Sequence, residues 1–204
     1  MTTLRARQKE DRRKRIISSA KTLFKKKGYE RTTIENIAEE AGVSGVTVHN
    51  YYGTKAGVLL ALVVDSDEAL ISRLDESLSH KEGDLIELVV QFARVIMDHA
   101  MANLEKDIWR QVIAAVTTEA GTRLSTAYSK LDQKLAYTLV KRIEAAQAAG
   151  TVPAETDPVH LGKALFHLQN ARFIQFISSD EMTRDDIETR LRHDLSALFS
   201  ICRG

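Results

Sequence analysis

Small, neutral and hydrogen-bonding side chains are concentrated in one stretch near the amino end, TIENIAEEAGVSGVTVHNYYGTK, which runs from Thr33 to Lys55. Side chains of this kind can approach base edges in the major groove of duplex DNA. In the second half of the stretch they are Gly45, Val46, Thr47, His49 and Asn50. Lys55 adds a full positive charge, and the amides at a helix N-terminus attract phosphates. The chemistry that the stretch predicts is recognition of duplex DNA.

Two short helices must position these side chains. The apolar residues of the first helix recur at helical spacing and are Ile34, Ile37, Ala38 and Ala41. Gly42-Val43-Ser44 predicts a tight turn, in which Gly42 takes a conformation that a side chain would resist. Ser44 can cap the second helix, and Val48 lies four residues later on its apolar side. The pattern predicts a helix-turn-helix; the alternative is a helix corner in another α-helical protein.

The positions of proline, glycine and capping residues along the whole chain predict an all-α fold of about nine helices. Its two prolines, Pro153 and Pro158, lie in one loop, and no alternating β-branched run of useful length occurs. Thr32-Thr33-Ile34-Glu35 has the capping-box spacing, in which Glu35 would reach back to the cap. The predicted helices are about Gln8–Lys27, a short one ending at Ala41, Ser44–Tyr51, Lys55–His80, Gly83–Ala100, Asn103–Glu119, Gly121–Ala149, Val159–Ile177 and Thr183–Ile201.

Charge divides the chain into two parts, although the 204 residues carry a net charge of only +1. Residues 1–60 contain 13 Lys and Arg against 6 Asp and Glu, whereas residues 61–204 contain 16 against 22. A basic segment joined to an acidic remainder favours a polyanionic partner at one end. The alternative is that the basic runs Arg12–Arg15 and Lys25–Lys27 belong to solvated helix faces.

The sequence contains no recognisable constellation of catalytic residues. Ser18-Ser19-Ala20-Lys21 has the S-x-x-K spacing of some acylating serine enzymes, but their companion motifs are absent. The six histidines form no H-E-x-x-H motif, and no metal cluster with Cys202 is evident. Neither G-x-x-x-x-G-K-[ST] nor G-x-G-x-x-G occurs, so nucleotide binding is not predicted. We therefore expect no enzyme activity, no catalytic residue, no metal and no cofactor.

From Ile16 to Leu60 the chain resembles the DNA-binding domain of TetR-type transcriptional repressors. The resemblance is carried by Phe24, Gly28-Tyr29, Thr32-Thr33-Ile34, Ile37-Ala38, Ala41-Gly42-Val43-Ser44, Thr47, Tyr51-Tyr52 and Lys55. It implies a DNA-binding domain in residues 1–54 and a helical effector-binding and dimerisation domain in residues 55–204. It also implies a regulator, expected to be a repressor, that binds a palindromic operator as a homodimer and is released by a small-molecule effector.

The residues themselves and the resemblance together predict eight DNA contacts. They are Thr33, Ser44, Val46, Thr47, His49, Asn50, Tyr51 and Lys55. Thr33, Tyr51 and Lys55 match positions that usually contact phosphates. Two positions depart from the family pattern, because His49 stands where an aromatic residue, commonly Tyr, is usual and Asn50 stands where His is frequent. Asn50 can bind adenine through two hydrogen bonds or can face a phosphate or water, and both readings stay open.

The last two predicted helices carry apolar arcs wide enough for an internal contact and for a partner helix, as in a four-helix bundle between two subunits. The residues assigned to the dimer interface are Leu161, Leu165, Leu168, Phe173, Leu191, Leu195 and Leu198. A symmetric dimer would place two half-sites about 34–36 Å apart. The candidate contacts to an effector, which we expect to be mostly apolar, are Phe92, His99, Trp109, Tyr128, His167 and Asn170.

The sequence shows no tract of about 18 uncharged apolar residues and no signal peptide, and one cysteine cannot form an internal disulfide. We therefore expect a cytoplasmic protein without membrane contact. Besides the ligand-responsive regulator, two function classes stay open. One is a helical small-molecule-binding protein or enzyme without DNA function, and the other is a DNA-binding protein without a small-molecule effector.

Overall fold

A computed structural model describes residues 4–65, 67–78 and 84–201. Within these ranges the chain forms ten α-helices and no strand, which confirms the predicted all-α fold. The helices are α1 Leu4–Lys27, α2 Ile34–Ala41, α3 Gly45–Tyr52, α4 Lys55–Val64, α5 Asp67–Leu78, α6 Leu85–Asn103, α7 Lys106–Thr118, α8 Arg123–Ala148, α9 Pro158–Ser178 and α10 Arg184–Ile201. No helix in the described part of the chain is both long and apolar enough to cross a membrane.

The segment predicted as one helix from Lys55 to His80 contains two helices, α4 and α5. Asp65 follows the last residue of α4 and donates its amide to the carbonyl of Ala61 at 2.9 Å. The predictions that involve His80, Gly83 and Cys202 fall outside the described residues.

The boundary between α6 and α7 differs from the predicted one. α6 continues to Asn103, whose side-chain amide donates to the carbonyl of His99 at 2.9 Å. The chain leaves the helix at Leu104, which is extended with φ −141° and ψ 144°. The prediction that a new helix starts at Asn103 is therefore wrong, because this residue completes α6 and α7 begins at Lys106.

The described residues divide into two compact units. The first unit contains residues 4–65 and 107–129, so most of α7 and the first turns of α8 are grouped with the helix-turn-helix. α1 packs against α2 and α4, and α3 packs against the same two helices. The apolar side chains of this unit with no exposed surface are Ile16, Ala20, Ile37, Val48, Val58, Leu59, Leu60 and Val112.

The second unit contains the described residues of 67–106 and 130–201. In it α6 packs against α5, α9 and α10, and ion pairs join α6 to α10, among them Arg94 with Glu188 at 2.7 Å. α8 and α9 approach so closely that a Cβ on Gly162 would lie 2.7 Å from a methyl carbon of Val140. Its fully buried side chains are Leu74, Val89, Phe92, Leu139, Val140, Ile143 and Leu195.

Asp132 is a half-buried carboxylate of α8 in the second unit. Burial raises the pKa of Asp132 from 3.8 to about 6, because the charged form is poorly solvated there. The folded chain therefore holds this proton more tightly than the unfolded chain does. Ionisation of Asp132 destabilises the fold as the pH rises from about 4 to about 6.

Replacing this carboxylate by its neutral isostere should stabilise the protein at neutral pH. We expect Asp132→Asn to raise the free energy of unfolding at pH 7.5 by roughly 1–2 kcal/mol, a gain that shrinks towards pH 4.5. Denaturant unfolding at the two pH values measures the difference. Glu144→Gln removes an exposed carboxylate of the same helix as a control. An equal gain for Asp132→Asn at both pH values would contradict the assignment.

Candidate nucleic-acid interface

The α3 helix has one buried anchor and an exposed face. Val48 is fully buried, whereas Val46 is 69% exposed and the side chains of His49 and Asn50 are exposed. A helix of eight residues is not stable by itself, so the packing of Val48 against its neighbours sets the orientation of α3. The predicted separation of the apolar anchor from the small and polar side chains is confirmed.

Ser44 is the N-cap of α3, as the sequence predicts. Its backbone is extended, and its Oγ accepts a hydrogen bond from the amide of Thr47 at 3.2 Å. The hydroxyl oxygens of Ser44 and Thr47 lie 2.9 Å apart, which keeps the Thr47 side chain at the N-terminal end of the helix. Both residues therefore lie beside the amides that a helix N-terminus offers to an anion.

Gly42 makes the turn between α2 and α3 in the left-handed conformation, with φ 63° and ψ 43°, as predicted. Its amide donates to the carbonyls of Ala38 and Glu39 at the end of α2. An Nη atom of Arg15 lies 3.4 Å from the point that a Cβ on Gly42 would occupy. The basic helix α1 therefore reaches the helix-turn-helix at its turn.

The N-terminus of α2 is capped one residue later than predicted. Thr33, not Thr32, is the N-cap, and its Oγ1 accepts from the amide of Asn36 at 3.1 Å. Asn36 completes the capping box by accepting from the amide of Thr33 at 3.4 Å, so the role predicted for Glu35 is wrong. Thr32 is buried and donates its hydroxyl to the carbonyl of Gly28 at 2.8 Å, which removes it from the cap.

Lys55 connects the start of α4 to the turn between α1 and α2. Its Nζ donates to the carbonyls of Tyr29 at 2.9 Å and of Glu30 at 3.3 Å. The same ammonium lies 4.2 Å from the centroid of the Tyr29 ring, a cation–π distance. An ammonium has three N–H donors, so one remains for a phosphate. Local spacing could not predict the contact between Lys55 and Tyr29, because the two residues are 26 positions apart in the chain.

Tyr51 and Tyr52 end α3 with different environments. Tyr51 is half-buried, its ring centroid lies 5.9 Å from that of Tyr52, and Tyr52 is buried. Burial raises the pKa of Tyr52 to about 12, an effect that nearby Arg13 partly offsets. Tyr52 therefore stays neutral at physiological pH and belongs to the packing of the unit, while Tyr51 is the more accessible of the two.

The residues predicted to contact an effector are divided between the two units. Trp109 and Tyr128 are buried in the first unit. In the second unit, Phe92 and the exposed His167 both contact the ring of Phe166, at centroid distances of 6.4 and 5.6 Å. His99 and Asn170 are half-buried in the second unit. Among the described residues, no group of three or more histidine, cysteine or carboxylate side chains is arranged to hold a metal ion.

The residues predicted for the dimer interface differ in exposure within one chain. Four are buried in the second unit, namely Leu165, Phe173, Leu191 and Leu195. Leu161 and Leu168 are half-buried, and Leu198 is 49% exposed. Three further large apolar side chains of this unit are exposed, and they are Tyr137, Val159 and Ile174.

Comparison with known sequences finds a family match for the part of the chain that contains α2, α3 and the start of α4. Residues 16–62 match the family described as bacterial regulatory proteins, tetR family. The chain is 40% identical over 90 residues to the HTH-type transcriptional regulator HbdR of Aromatoleum sp. (strain CIB). That alignment covers 43% of this chain and 39% of HbdR, so the chain spans about two fifths of this relative.

Solved structures resemble the fold over nearly the whole chain. The TetR-family repressor FadR of Thermus thermophilus, in complex with lauroyl-CoA, has a TM-score of 0.73 at 23% identity, covering 92% of this chain and 93% of FadR. A transcriptional regulator of Saccharomonospora viridis, in complex with choline, has a TM-score of 0.65 at 24% identity, covering 91% and 95%. At these identities the likeness establishes the shared fold.

Proposed function

We propose that the chain, whose residues 16–62 match the family described as bacterial regulatory proteins, tetR family, is a TetR-family DNA-binding transcriptional regulator that acts as a repressor. The observation that carries the proposal is the geometry of α3, which is anchored by Val48 and directs Val46, His49 and Asn50 to solvent. Such a helix can enter a major groove without moving its anchor. Asn50 can bind adenine, and Val46 can contact a thymine methyl group.

Exposed basic side chains supply the attraction to phosphates in this proposal. Those of α1 and the turn after it are Arg5, Arg7, Lys9, Arg12, Lys14, Arg15, Lys25, Lys26, Lys27 and Arg31. Helical spacing spreads them around the axis of α1, so about three or four in each subunit can meet the DNA backbone. Phosphate contacts of this kind position the protein, whereas the face of α3 reads the sequence.

We propose that the functional unit is a homodimer formed through α9 and α10. The exposed apolar side chains Val159, Ile174 and Leu198 are the surface that a partner would cover. The buried Leu165 and Leu195 would support the two helices from inside their own subunit. A two-fold dimer presents two α3 helices to half-sites one helical turn apart, which corresponds to a palindromic operator.

We propose that a mostly apolar small molecule releases the protein from DNA. Support comes from the aromatic pair Phe92 and Phe166 in the core of the second unit, and from FadR of Thermus thermophilus, which was solved with lauroyl-CoA. An effector that binds one conformation more tightly shifts the population towards that conformation. The acyl chain is the part of such a ligand that would bind among aromatic and aliphatic side chains.

Removing the Asn50 amide should weaken binding to the operator without unfolding the protein. We expect Asn50→Ala to raise the Kd for a duplex selected from a random-sequence pool by about tenfold to a hundredfold. Asn50 is exposed, so the melting temperature should change little. Fluorescence anisotropy with labelled duplex measures the Kd. The matched control is Gln133→Ala, which removes an exposed side-chain amide from α8.

The same titration at several salt concentrations tests the phosphate contacts. A dimer with about six to eight phosphate contacts should show a slope of log K against log salt of roughly −5 to −7. Equal affinity of Asn50→Ala and the parent chain would contradict the assigned role of this residue. Absence of DNA binding by the parent chain, or a slope near zero, would contradict the proposed function.

The effector proposal predicts that an acyl chain is required for release. Lauroyl-CoA should raise the melting temperature of the protein and dissociate it from the selected duplex, because a ligand that binds the folded state stabilises it. Coenzyme A without the acyl chain is the matched control, and choline tests the alternative suggested by the regulator of Saccharomonospora viridis. Release by choline or by coenzyme A alone would contradict a mostly apolar effector.

A further inference from the structure

The connection between α3 and α4 consists of two residues, Gly53 and Thr54. Gly53 has φ 75° and ψ −61°, and the amide of Thr54 donates to the carbonyl of Tyr52 at 2.9 Å. These angles and this hydrogen bond define a γ-turn of the rare, strained form, which glycine accepts more readily than other residues. Only Gly53 and Thr54 lie between the two helices, and both take part in this turn. The orientation of α3 relative to α4 is therefore restricted.

Gly57, in the first turn of α4, closes the same junction from the other side. A Cβ on Gly57 would lie 2.1 Å from the carbonyl oxygen of Tyr52, a distance that only a shift of the backbone could relieve. The amide of Gly57 donates to Oγ1 of Thr54, the N-cap of α4, at 2.9 Å. The end of α3 therefore rests directly on the backbone of α4, and a displacement of one helix must displace the other.

The corner between α7 and α8 reaches this junction within the first unit. Oγ1 of Thr54 donates to a carboxylate oxygen of Glu119 at 3.3 Å. A methyl carbon of Leu124 lies 3.1 Å from the point that a Cβ on Gly57 would occupy. The corner itself is held by Thr122, whose Oγ1 accepts from the amide of Ser125 at 3.1 Å. Glu119 thus contacts the N-cap residue of α4, and Leu124 lies beside Gly57 in the first turn of the helix.

We propose that Gly57 is a positioning residue for DNA recognition, through which the α7–α8 corner sets the angle at which α3 is presented to DNA. Leu124 packs beside Gly57 in the first turn of α4. The carbonyl oxygen of Tyr52, at the end of α3, lies against Gly57 as well, so the position of α4 determines that of α3. The inference deepens the proposed function and rests on it.

The consequence is specific to sequence reading and leaves the phosphate contacts of α1 intact. Gly57→Ala should lower the preference for the selected duplex over a scrambled duplex of equal length at least tenfold. The affinity for the scrambled duplex, which reports phosphate contacts, should stay within about twofold. A residue with a merely structural role would lower both affinities together. Anisotropy titrations well below the melting temperature of each variant measure the two affinities.

Two further variants keep the test decisive if Gly57→Ala does not fold. Leu124 is half-buried, and Leu124→Ala removes the contact of the corner without adding atoms at the junction. It should lower the same preference at least threefold. Leu85→Ala is the matched control, because it shortens another half-buried leucine in the first turn of a helix, here α6 of the second unit, and the preference should be retained.

The outcomes separate the inference from the proposed function. A parent chain that binds neither duplex overturns the proposed function and this inference with it. A parent chain that selects its duplex, together with Leu124→Ala and any folded Gly57→Ala variant that select equally well, overturns the inference alone. Loss of preference in Leu85→Ala equal to that in Leu124→Ala also overturns it, because general destabilisation would then explain the effect.

Discussion

The burial of Val48 determines which face of α3 is exposed to solvent. α3 has only eight residues and cannot hold its conformation alone, so the side chain that packs into the first unit determines which residues face solvent. The two ends of α3 are restrained as well, by the Ser44 cap and by the γ-turn at Gly53. The exposed residues of α3 can therefore vary without displacing the helix, because the anchor and the two ends keep it in place.

Local features of this region could be predicted from the sequence, because they depend on residues close together in the chain. The left-handed Gly42 and the Ser44 cap are such features, and both occur in the structure. The capping box of α2 was displaced by one position, because two adjacent threonines compete for the cap and burial of Thr32 decides between them. Local spacing contains no information on which of them will be buried.

Features that depend on distant residues could not be predicted. Lys55 suggests a phosphate contact by its charge, yet two of its donors are directed to carbonyls of the α1–α2 turn. The raised pKa of Asp132 follows from burial and has no counterpart in the sequence pattern. The grouping of residues 107–129 with the helix-turn-helix likewise depends on tertiary contacts. Glu119 and Leu124 lie beside Thr54 and Gly57, which are more than sixty positions earlier in the chain.

Protection of guanine N7 against methylation would show directly whether α3 enters the major groove, because this atom lies there. A dimer that places one α3 helix in each half-site should protect two patches on a selected duplex, with centres about 10 base pairs or a whole number of helical turns apart. Weaker protection of both patches by Asn50→Ala would identify α3 as the reading helix. Protection of a single patch, or none at protein concentrations that shift the duplex, would contradict it.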